Sequence, residues 1–169
     1  LSTYAVSIIL KIKLKNFLSA IKSFKGLPHR LEKIKENKKF IIINNSKATN
    51  IESSIKSVEA YNNIYLILGG RIKEKNFLRF KKYNKKIIQC YIIGESSNYI
   101  YKQIKNFIKS NISKNLKTAV QKIMLEVKKN KFQSTILFSP ACASYDQFEN
   151  FEQRGDQFKK IVRQELKNN

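Results

Sequence analysis

The chain has 169 residues, of which 42% are hydrophobic and 11% aromatic. This is the length of one ordinary domain with a packed core, so it excludes a disordered tail and a multidomain enzyme within these residues. The formal net charge of +22 favours a nucleic-acid or anionic-membrane partner. However, 29 of the 34 basic residues are Lys, and Lys shares A/T-rich codons with the 24 Ile and 17 Asn. We interpret much of the charge as compositional drift on a solvated surface.

Several classes of protein are not expected from this sequence. The apolar run from Ala5 to Leu10 is far shorter than the roughly 20 residues that span a bilayer, and no signal peptide pattern is found. We therefore expect a cytoplasmic protein with no membrane association. Cys90 and Cys142 are too few for a disulfide framework, and with the single His29 they do not make a usual zinc site. Because residue 1 is Leu, we expect the C-terminal part, or a mature or incomplete piece, of a longer protein.

The predicted elements begin with helical spacing over residues 4–22, broken near Lys13–Lys15 and stopped by Gly26-Leu27-Pro28. Two strand-like segments follow, Leu31–Ile34 and Lys39–Asn44, joined by a hairpin turn at residues 36–38. Helices and strands then alternate. The predicted helices are Ile51–Tyr61, Phe77–Lys85, Ser97–Ile108, Leu116–Lys129 and Asp156–Lys167, and the predicted strands are Ile64–Leu68, Ile87–Ile93 and Thr135–Phe138.

Continuously apolar strands between amphipathic helices indicate an α/β fold, with a mainly parallel sheet covered by helices on both faces. In such sheets, ligands bind beyond the carboxyl ends of the strands. The segments of interest are therefore those that follow a strand, namely residues 44–50, 69–73, 94–97 and 139–144, all of which are polar, small or glycine-bearing.

Common catalytic motifs are absent. The five glycines satisfy neither the P-loop nor the G-x-G-x-x-G pattern, and there is no G-x-S-x-G elbow. A nucleophile pair of Cys142 and His29 requires the fold to bring them together, and small core thiols are the default interpretation of both cysteines.

Two strand ends carry groups suited to an anion. Ser46, Lys47, Thr49 and Asn50 follow a strand and open a helix, where hydroxyls, an ammonium and free N–H groups converge; a simple helix cap by Thr49 or Asn50 is the alternative. Lys73 follows Gly69-Gly70 and can reach the same edge, unless it is one more solvated lysine.

The segment from Ser139 to Phe158, SPACASYDQFENFEQRGDQF, differs in composition from the rest of the chain. It has no Lys or Ile, and its one basic residue, Arg154, lies among four acidic residues. A long ordered loop of this kind indicates a built site or a docking edge.

Together, the motifs GLPHRLE (26–32), NNSKATN (44–50), LGGxxK (68–73) and SPACASYDQFENFEQRGDQF (139–158) resemble the C-terminal region of Mur ligases. The last motif is specific to the D-glutamate-adding member of the family. The match runs in order across nearly the full chain.

The resemblance implies a Rossmann-like C-terminal domain at residues 27–169 that brings in D-glutamate. Residues 1–26 would be the last helices of an ATP-binding central domain that is otherwise missing, as is the domain that binds the UDP-sugar. The implied enzyme is an ATP- and Mg²⁺-dependent amide ligase of peptidoglycan precursor synthesis, monomeric when full length. It phosphorylates the alanine carboxylate of UDP-N-acetylmuramoyl-L-alanine to an acyl phosphate, which the D-glutamate amine attacks. This chain lacks the P-loop and is not expected to be active alone.

The resemblance also implies roles for individual residues. Lys73 and Thr49 would hold one carboxylate of D-glutamate, and the Ser144 hydroxyl with the Phe151 N–H would hold the other. Roles near the nucleotide fall to His29, Arg30 and Asn45, while Lys47 would face the acyl-acceptor site; no metal ligand or catalytic residue is assigned.

Asn45 departs from the family pattern, which usually has Asp at this ribose-binding position, so ATP binding is expected to be weaker by about 1 kcal/mol. An ion pair with a neighbouring Glu is the alternative role for Arg30. For the chain as a whole, the alternatives are a stand-alone basic α/β module that binds nucleic acid and a non-catalytic remnant of the ligase.

Overall fold

A six-stranded sheet forms the centre of the molecule. The structure, a computed structural model, describes residues 2–113 and 115–167. The strands are β1 (Glu32–Glu36), β2 (Phe40–Asn44), β3 (Ile64–Gly69), β4 (Ile87–Ile93), β5 (Ser110–Ile112) and β6 (Ser134–Phe138). Their order is β1-β2-β6-β3-β4-β5, and every neighbouring pair is parallel except β1 with β2. The predicted α/β class with a mainly parallel sheet is therefore confirmed.

Helices cover both faces of this sheet. They are α1 (Ser2–Ile9), α2 (Leu14–Ser23), α3 (Ile51–Glu59), α4 (Ser97–Ile104), α5 (Leu116–Lys129) and α6 (Phe151–Lys167), with a 3₁₀ helix at Phe77–Lys86. Side chains alternate across a strand, so Leu66 packs with α3, α4 and the 3₁₀ helix, whereas Ile67 packs with α5 and α6 on the opposite face. This double covering explains why β3 is buried at every residue.

Asparagine side chains cap several of the helices. The Asn50 Oδ1 accepts a hydrogen bond from the Ser53 N–H at the start of α3, and the Asn115 Oδ1 does the same for the Thr118 N–H at the start of α5. These side chains satisfy amide groups that have no partner within the helix.

Helix α6 begins at Phe151, five residues before the predicted start at Asp156. The prediction was wrong because Asn150 acts as a cap: its Oδ1 accepts a hydrogen bond from the Gln153 N–H at 2.7 Å. The second half of the segment that we interpreted as a loop, from Phe151 to Phe158, is therefore helical.

Most other predicted elements differ from the structure by one or two residues at an end, and two differ by more or in type. The segment Phe77–Lys86 is a 3₁₀ helix, and its two buried residues, Phe77 and Phe80, lie one 3₁₀ turn apart. Helix α4 ends at Ile104 rather than Ile108, and a turn follows it. The edge strand β5 comes after this turn and was not predicted, because three residues, two of them polar, leave no periodic signal.

The N-terminal helices α1 and α2 expose most of their large apolar side chains, namely Val6, Ile8, Ile9, Leu14, Leu18 and Ile21. The Tyr4 and Phe17 rings join the two helices at a centroid distance of 5.4 Å. None of the helices in the described ranges has the length and apolar character needed to cross a bilayer.

Candidate functional site

The carboxyl ends of β2, β3 and β6 meet at one edge of the sheet, and the loops that follow them are joined. The Asn45 N–H donates to the Phe138 carbonyl at 2.8 Å, which links the ends of β2 and β6. Arg71 and Ala143 exchange two backbone hydrogen bonds of 3.0 and 2.9 Å, which link the loops after β3 and β6. These backbone links bring segments far apart in sequence into one wall.

Gly69 and Gly70 permit this close approach. Both have positive φ, at +123° and +128°. A Cβ on Gly69 would fall 1.9 Å from the Ile93 carbonyl oxygen, and one on Gly70 would fall 2.3 Å from the Ala143 carbonyl oxygen. A larger residue at Gly70 would therefore separate the loops after β3 and β6, and one at Gly69 would push the end of β3 away from β4.

A cavity of about 220 Å³ lies at this edge, and we call it the Lys73 cavity. Its lining residues are Lys47, Thr49, Lys73, Ala143, Ser144, Tyr145 and Phe151. The structure thus brings together the four residues that we expected to bind D-glutamate, together with Lys47. The predicted convergence is present in the structure, while the role of each residue stays a prediction.

The lining of the Lys73 cavity is suited to a small anion. The described residues that line the cavity contribute two ammonium groups, from Lys47 and Lys73, two hydroxyls, from Thr49 and Ser144, and no carboxylate. Phe151 is the first residue of α6, so its N–H has no partner within the helix and lies at the positive end of the helix dipole. The arrangement can bind a carboxylate at more than one point.

A second cavity, of about 290 Å³, lies beside the first, and we call it the Arg30 cavity. It is lined by Arg30, Leu31, Asn45, Lys47, Ala48, Ser53, Lys56 and Ser57. Lys47 borders both cavities, and its ammonium lies 3.7 Å from the centroid of the Phe151 ring. Two of the three residues expected near the nucleotide, Arg30 and Asn45, line this second cavity.

Asn45 is only 8% exposed, and its amide is bonded within the protein. The Oδ1 accepts a hydrogen bond from the Leu31 N–H at 3.3 Å, and the Nδ2 donates to the Ser139 Oγ at 3.2 Å. The amide oxygen retains one lone pair for a further donor.

His29 does not line either cavity. It is buried, its Nδ1 is 3.0 Å from the Asn44 Nδ2, and its ring meets the Phe151 ring edge to face at 6.2 Å. A Cβ on Gly155 would fall 2.1 Å from the His29 Nδ1, so the imidazole packs directly onto helix α6. In this structure His29 supports Phe151 and α6.

The alternative of a thiol nucleophile has no support in the geometry. Cys142 is fully buried, and burial raises the pKa of its thiol to about 12. Burial also raises the pKa of Cys90, so both groups are protonated at neutral pH and are poor nucleophiles. They are core thiols, as the sequence indicated.

Among residues 2–113 and 115–167, no group of three or more His, Cys, Asp or Glu is placed to hold a metal ion.

Sequence reasoning missed the importance of Arg154, and it placed the Ser46 hydroxyl among the anion-binding groups, whereas that hydroxyl bonds to Arg154 and to the Phe151 carbonyl. We interpreted Arg154 as one base among acidic residues, but it is 1% exposed and bonds to Ser46 and to the Cys142 carbonyl. The one signal was that Arg154 is the single basic residue in a 20-residue segment without Lys.

No protein-family model matches the chain. Curated relatives do match, among them three that are named UDP-N-acetylmuramoylalanine–D-glutamate ligase. The relative from Wolbachia sp. subsp. Brugia malayi (strain TRS) is 41% identical over 154 residues, which cover 91% of this chain and 31% of the relative. The relative from Rickettsia felis is 38% identical over 161 residues, covering 95% and 36%. The relative from Prochlorococcus marinus (strain MIT 9312) is 38% identical over 160 residues, covering 92% and 34%.

The chain therefore spans about a third of the length of these relatives. The matched part is a C-terminal portion of each full-length sequence. Over about 92% of its own length, the chain belongs to the family of UDP-N-acetylmuramoylalanine–D-glutamate ligases as a homologue of their C-terminal portion.

Proposed function

We propose that this chain supplies the D-glutamate-binding part of an ATP-dependent ligase that joins D-glutamate to UDP-N-acetylmuramoyl-L-alanine. The observation that carries the proposal is the Lys73 cavity, in which residues 47, 49, 73, 144 and 151 converge from three separate segments. The D-glutamate in the name of the relatives is a small dicarboxylate, and the cavity presents cations, hydroxyls and a helix N-terminus to it.

The two carboxylates of D-glutamate need two anion sites a fixed distance apart. In the proposed arrangement, Lys73 and Thr49 bind one carboxylate, and the Ser144 hydroxyl and the Phe151 N–H bind the other. The two sites lie on different loops, which the Arg71 to Ala143 backbone pairing holds together. Charge-assisted hydrogen bonds from both sides would fix the position of the amine for attack on an activated carboxylate.

Lys47 is the proposed connection between D-glutamate and the second substrate. It borders both cavities, so an acyl group held between them would meet its ammonium. A positive charge there stabilises negative charge that develops on the acyl oxygen during amide formation. The Lys47 side chain would act by electrostatics, without transferring a proton.

The Arg30 cavity is the proposed nucleotide side. Three cations, from Arg30, Lys47 and Lys56, suit a phosphate chain, and the Asn45 oxygen can accept a hydrogen bond from a ribose hydroxyl. ATP, when bound, supplies the phosphoryl group that activates the alanine carboxylate. Among the described residues, no carboxylate lines this cavity, so it lacks the charged oxygen ligands through which proteins usually hold Mg²⁺. The proposal assigns Mg²⁺ and most ATP contacts to a central domain outside this chain.

In the same proposal, residues 27–169 form the D-glutamate-binding domain, and residues 1–26 are the end of the central domain. The exposed apolar side chains of α1 and α2 support this division, because a neighbouring domain would cover them. The proposed enzyme is cytoplasmic and monomeric and takes part in peptidoglycan precursor synthesis. His29 contributes indirectly, through its contacts with Phe151 and α6.

The proposal is tested by titrating the isotope-labelled chain with D-glutamate and, as a matched control, L-glutamate. We expect D-glutamate to shift the amide resonances of Thr49, Ser144 and Phe151. The response to L-glutamate should be smaller, because the opposite configuration at its α-carbon prevents both carboxylates and the amine from taking the same positions together. Equal responses to both enantiomers, or shifts confined to other residues, would contradict the proposal.

A nucleic-acid module was the alternative from a different functional class, and the comparisons with known proteins give it no support. If the lysines form a solvated surface, duplex DNA should bind weakly, without sequence preference, and lose affinity between low and physiological salt. Tight, sequence-selective binding at physiological salt would favour the alternative.

A further inference from the structure

Arg154 lies in α6, directly behind the wall of the Lys73 cavity, and the proposed function gives it no role. Its guanidinium makes three hydrogen bonds: Nε to the Ser46 Oγ at 3.1 Å, Nη2 to the Ser46 carbonyl at 2.8 Å and Nη1 to the Cys142 carbonyl at 3.1 Å. The planar fork of the guanidinium allows these bonds to form together.

The environment of Arg154 is unusual for a buried cation. No carboxylate of the described residues lies within ion-pair distance of its guanidinium, and Asp146 acts on it only through its charge. Burial lowers the pKa of Arg154 to about 10, so the group is still charged at neutral pH. Burying an arginine without a carboxylate is costly, which argues against a neutral packing role.

The partners of Arg154 all adjoin the cavity lining. Ser46 precedes Lys47, and Cys142 precedes Ala143 and Ser144. The Ser46 Oγ also donates to the Phe151 carbonyl at 2.8 Å, so the start of α6 belongs to the same network. One side chain thus joins the loop after β2, the loop after β6 and the N-terminus of α6.

We propose that Arg154 is a positioning residue that sets the separation of the two carboxylate sites in the Lys73 cavity. It does so by fixing Ser144 and Phe151, on one side, relative to the 46–49 segment on the other. The inference rests on the proposed function for the identity of the ligand, but the network itself is independent of that ligand.

Two variants test the role, with a third as control. Arg154→Lys keeps the positive charge but removes the planar guanidinium, so the three hydrogen bonds cannot form together. Ser46→Ala removes only the hydroxyl that joins Arg154 to Phe151, and so provides a test if Arg154→Lys does not fold. Arg163→Lys is the matched control, because Arg163 is exposed on the same helix.

The first measurement is amide hydrogen exchange, which needs no ligand. The Phe148 N–H donates to the Ser144 carbonyl at 2.9 Å, and the Ala143 N–H donates to the Arg71 carbonyl at 2.9 Å. We expect both amides to exchange about tenfold faster in Arg154→Lys and Ser46→Ala, with the core amides of α5 and β4 unchanged. Unchanged exchange at Ala143 and Phe148 would overturn the proposal.

The second measurement compares D-glutamate, which spans both carboxylate sites, with D-alanine, which occupies one. A positioning role predicts that the dissociation constant for D-glutamate rises about tenfold in both test variants, while that for D-alanine hardly changes. A general loss of structure would weaken both ligands alike and overturn the proposal.

The outcomes separate the two proposals. If the unmodified chain binds D-glutamate and both variants bind it equally well, the positioning role is wrong and the proposed function stands. If the unmodified chain binds no D-glutamate, the proposed function is wrong. The proposal that Arg154 positions two carboxylate sites is then wrong as well.

Discussion

The ammonium of Lys47 lies 3.7 Å from the centroid of the Phe151 ring, so a cation–π contact joins the loop after β2 to the first residue of α6. Contacts of this kind contribute about 0.5–2 kcal/mol, depending on how far the cation is desolvated. The ring of Phe151 therefore holds the lysine that borders both cavities, while its N–H faces the proposed carboxylate. One residue serves the site through its side chain and its backbone.

This contact predicts the effect of Phe151→Leu, which keeps the backbone N–H and removes the aromatic face. In the unmodified chain, ring currents should move the Cε protons of Lys47 upfield from those of an exposed lysine. In Phe151→Leu they should return to ordinary values, with Lys56 unchanged as the internal control. A proton and carbon correlation spectrum provides the measurement, and an ordinary shift for Lys47 in the unmodified chain would contradict the contact.

The charge of Lys73 is expected to dominate the affinity for D-glutamate. Lys73→Ala removes a charge-assisted hydrogen bond of about 1.5–3 kcal/mol. The dissociation constant for D-glutamate should therefore rise roughly 10- to 150-fold. Ser144→Ala removes a neutral donor and should cost less. Lys75→Ala is the control, since Lys75 is exposed two residues away and does not line the cavity.

Calorimetric or spectroscopic titration of these variants with D-glutamate gives the comparison. ATP affinity should hardly change in Lys73→Ala, because Lys73 does not line the Arg30 cavity. Equal losses in Lys73→Ala and Lys75→Ala would show that the effect is general electrostatic attraction.

The fold could be predicted from the sequence because its strands and helices carry clear periodic signals. Helix α5 and strand β4 begin and end where the apolar pattern predicts. The convergence of the cavity residues could also be predicted, because each follows a parallel strand or lies in the one segment of different composition. The start of α6 could not, because Gly155 disfavours a helix in local sequence, whereas the Asn150 cap and the packing of Gly155 onto His29 stabilise the helix there.

The roles of Arg154 and His29 could not be predicted for a related reason. Local sequence places Arg154 near Glu149, Glu152 and Asp156, which suggests surface ion pairs, whereas its partners are carbonyl groups of residues 46 and 142. Ser46 lies 108 residues away in the chain, and Cys142 lies before the start of the helix, so neither contact leaves a pattern in a local helical window. A buried arginine and an exposed one are therefore indistinguishable before the topology is known.

The contact between Gly155 and His29 predicts that Gly155→Ala destabilises the fold. In a helix this substitution normally stabilises by up to about 1 kcal/mol. Here the new Cβ would fall 2.1 Å from the His29 Nδ1, so the imidazole must move, at a cost of about 1–3 kcal/mol or more. Urea unfolding of Gly155→Ala measures the effect. The double variant with His29→Ala should recover part of the loss, and additive effects would contradict the steric explanation.

Burial of the thiols predicts their reactivity and an alkaline loss of stability. Cys90 and Cys142 should react with a thiol reagent at pH 8 only after unfolding in denaturant. The ordinary thiol pKa of 9.0 is raised to about 12 for Cys142, so between these values the unfolded chain binds fewer protons than the folded one. The free energy of unfolding should therefore fall as pH rises through this range, and less steeply in Cys142→Ala. Rapid labelling of the native chain would contradict the burial.

Replacing Asn45 by the Asp that the resemblance to Mur ligases implies at this position should strengthen the proposed nucleotide binding. Asn45→Asp keeps the acceptor for the Leu31 N–H, and the Ser139 hydroxyl, which now accepts from the Asn45 amide, can rotate to donate to the carboxylate. Arg30, Lys47 and Lys56 line the same cavity and would offset the cost of burying the new charge. A charged acceptor for a ribose hydroxyl should strengthen binding by about 1 kcal/mol, which lowers the dissociation constant for ATP roughly fivefold.

Asn50→Asp is the matched control for Asn45→Asp, because it adds the same charge at the α3 cap, outside the lining of the cavity. Titration of both variants with ATP decides the question: a gain in Asn45→Asp alone supports the ribose contact, whereas no gain, or an equal change in both variants, contradicts it.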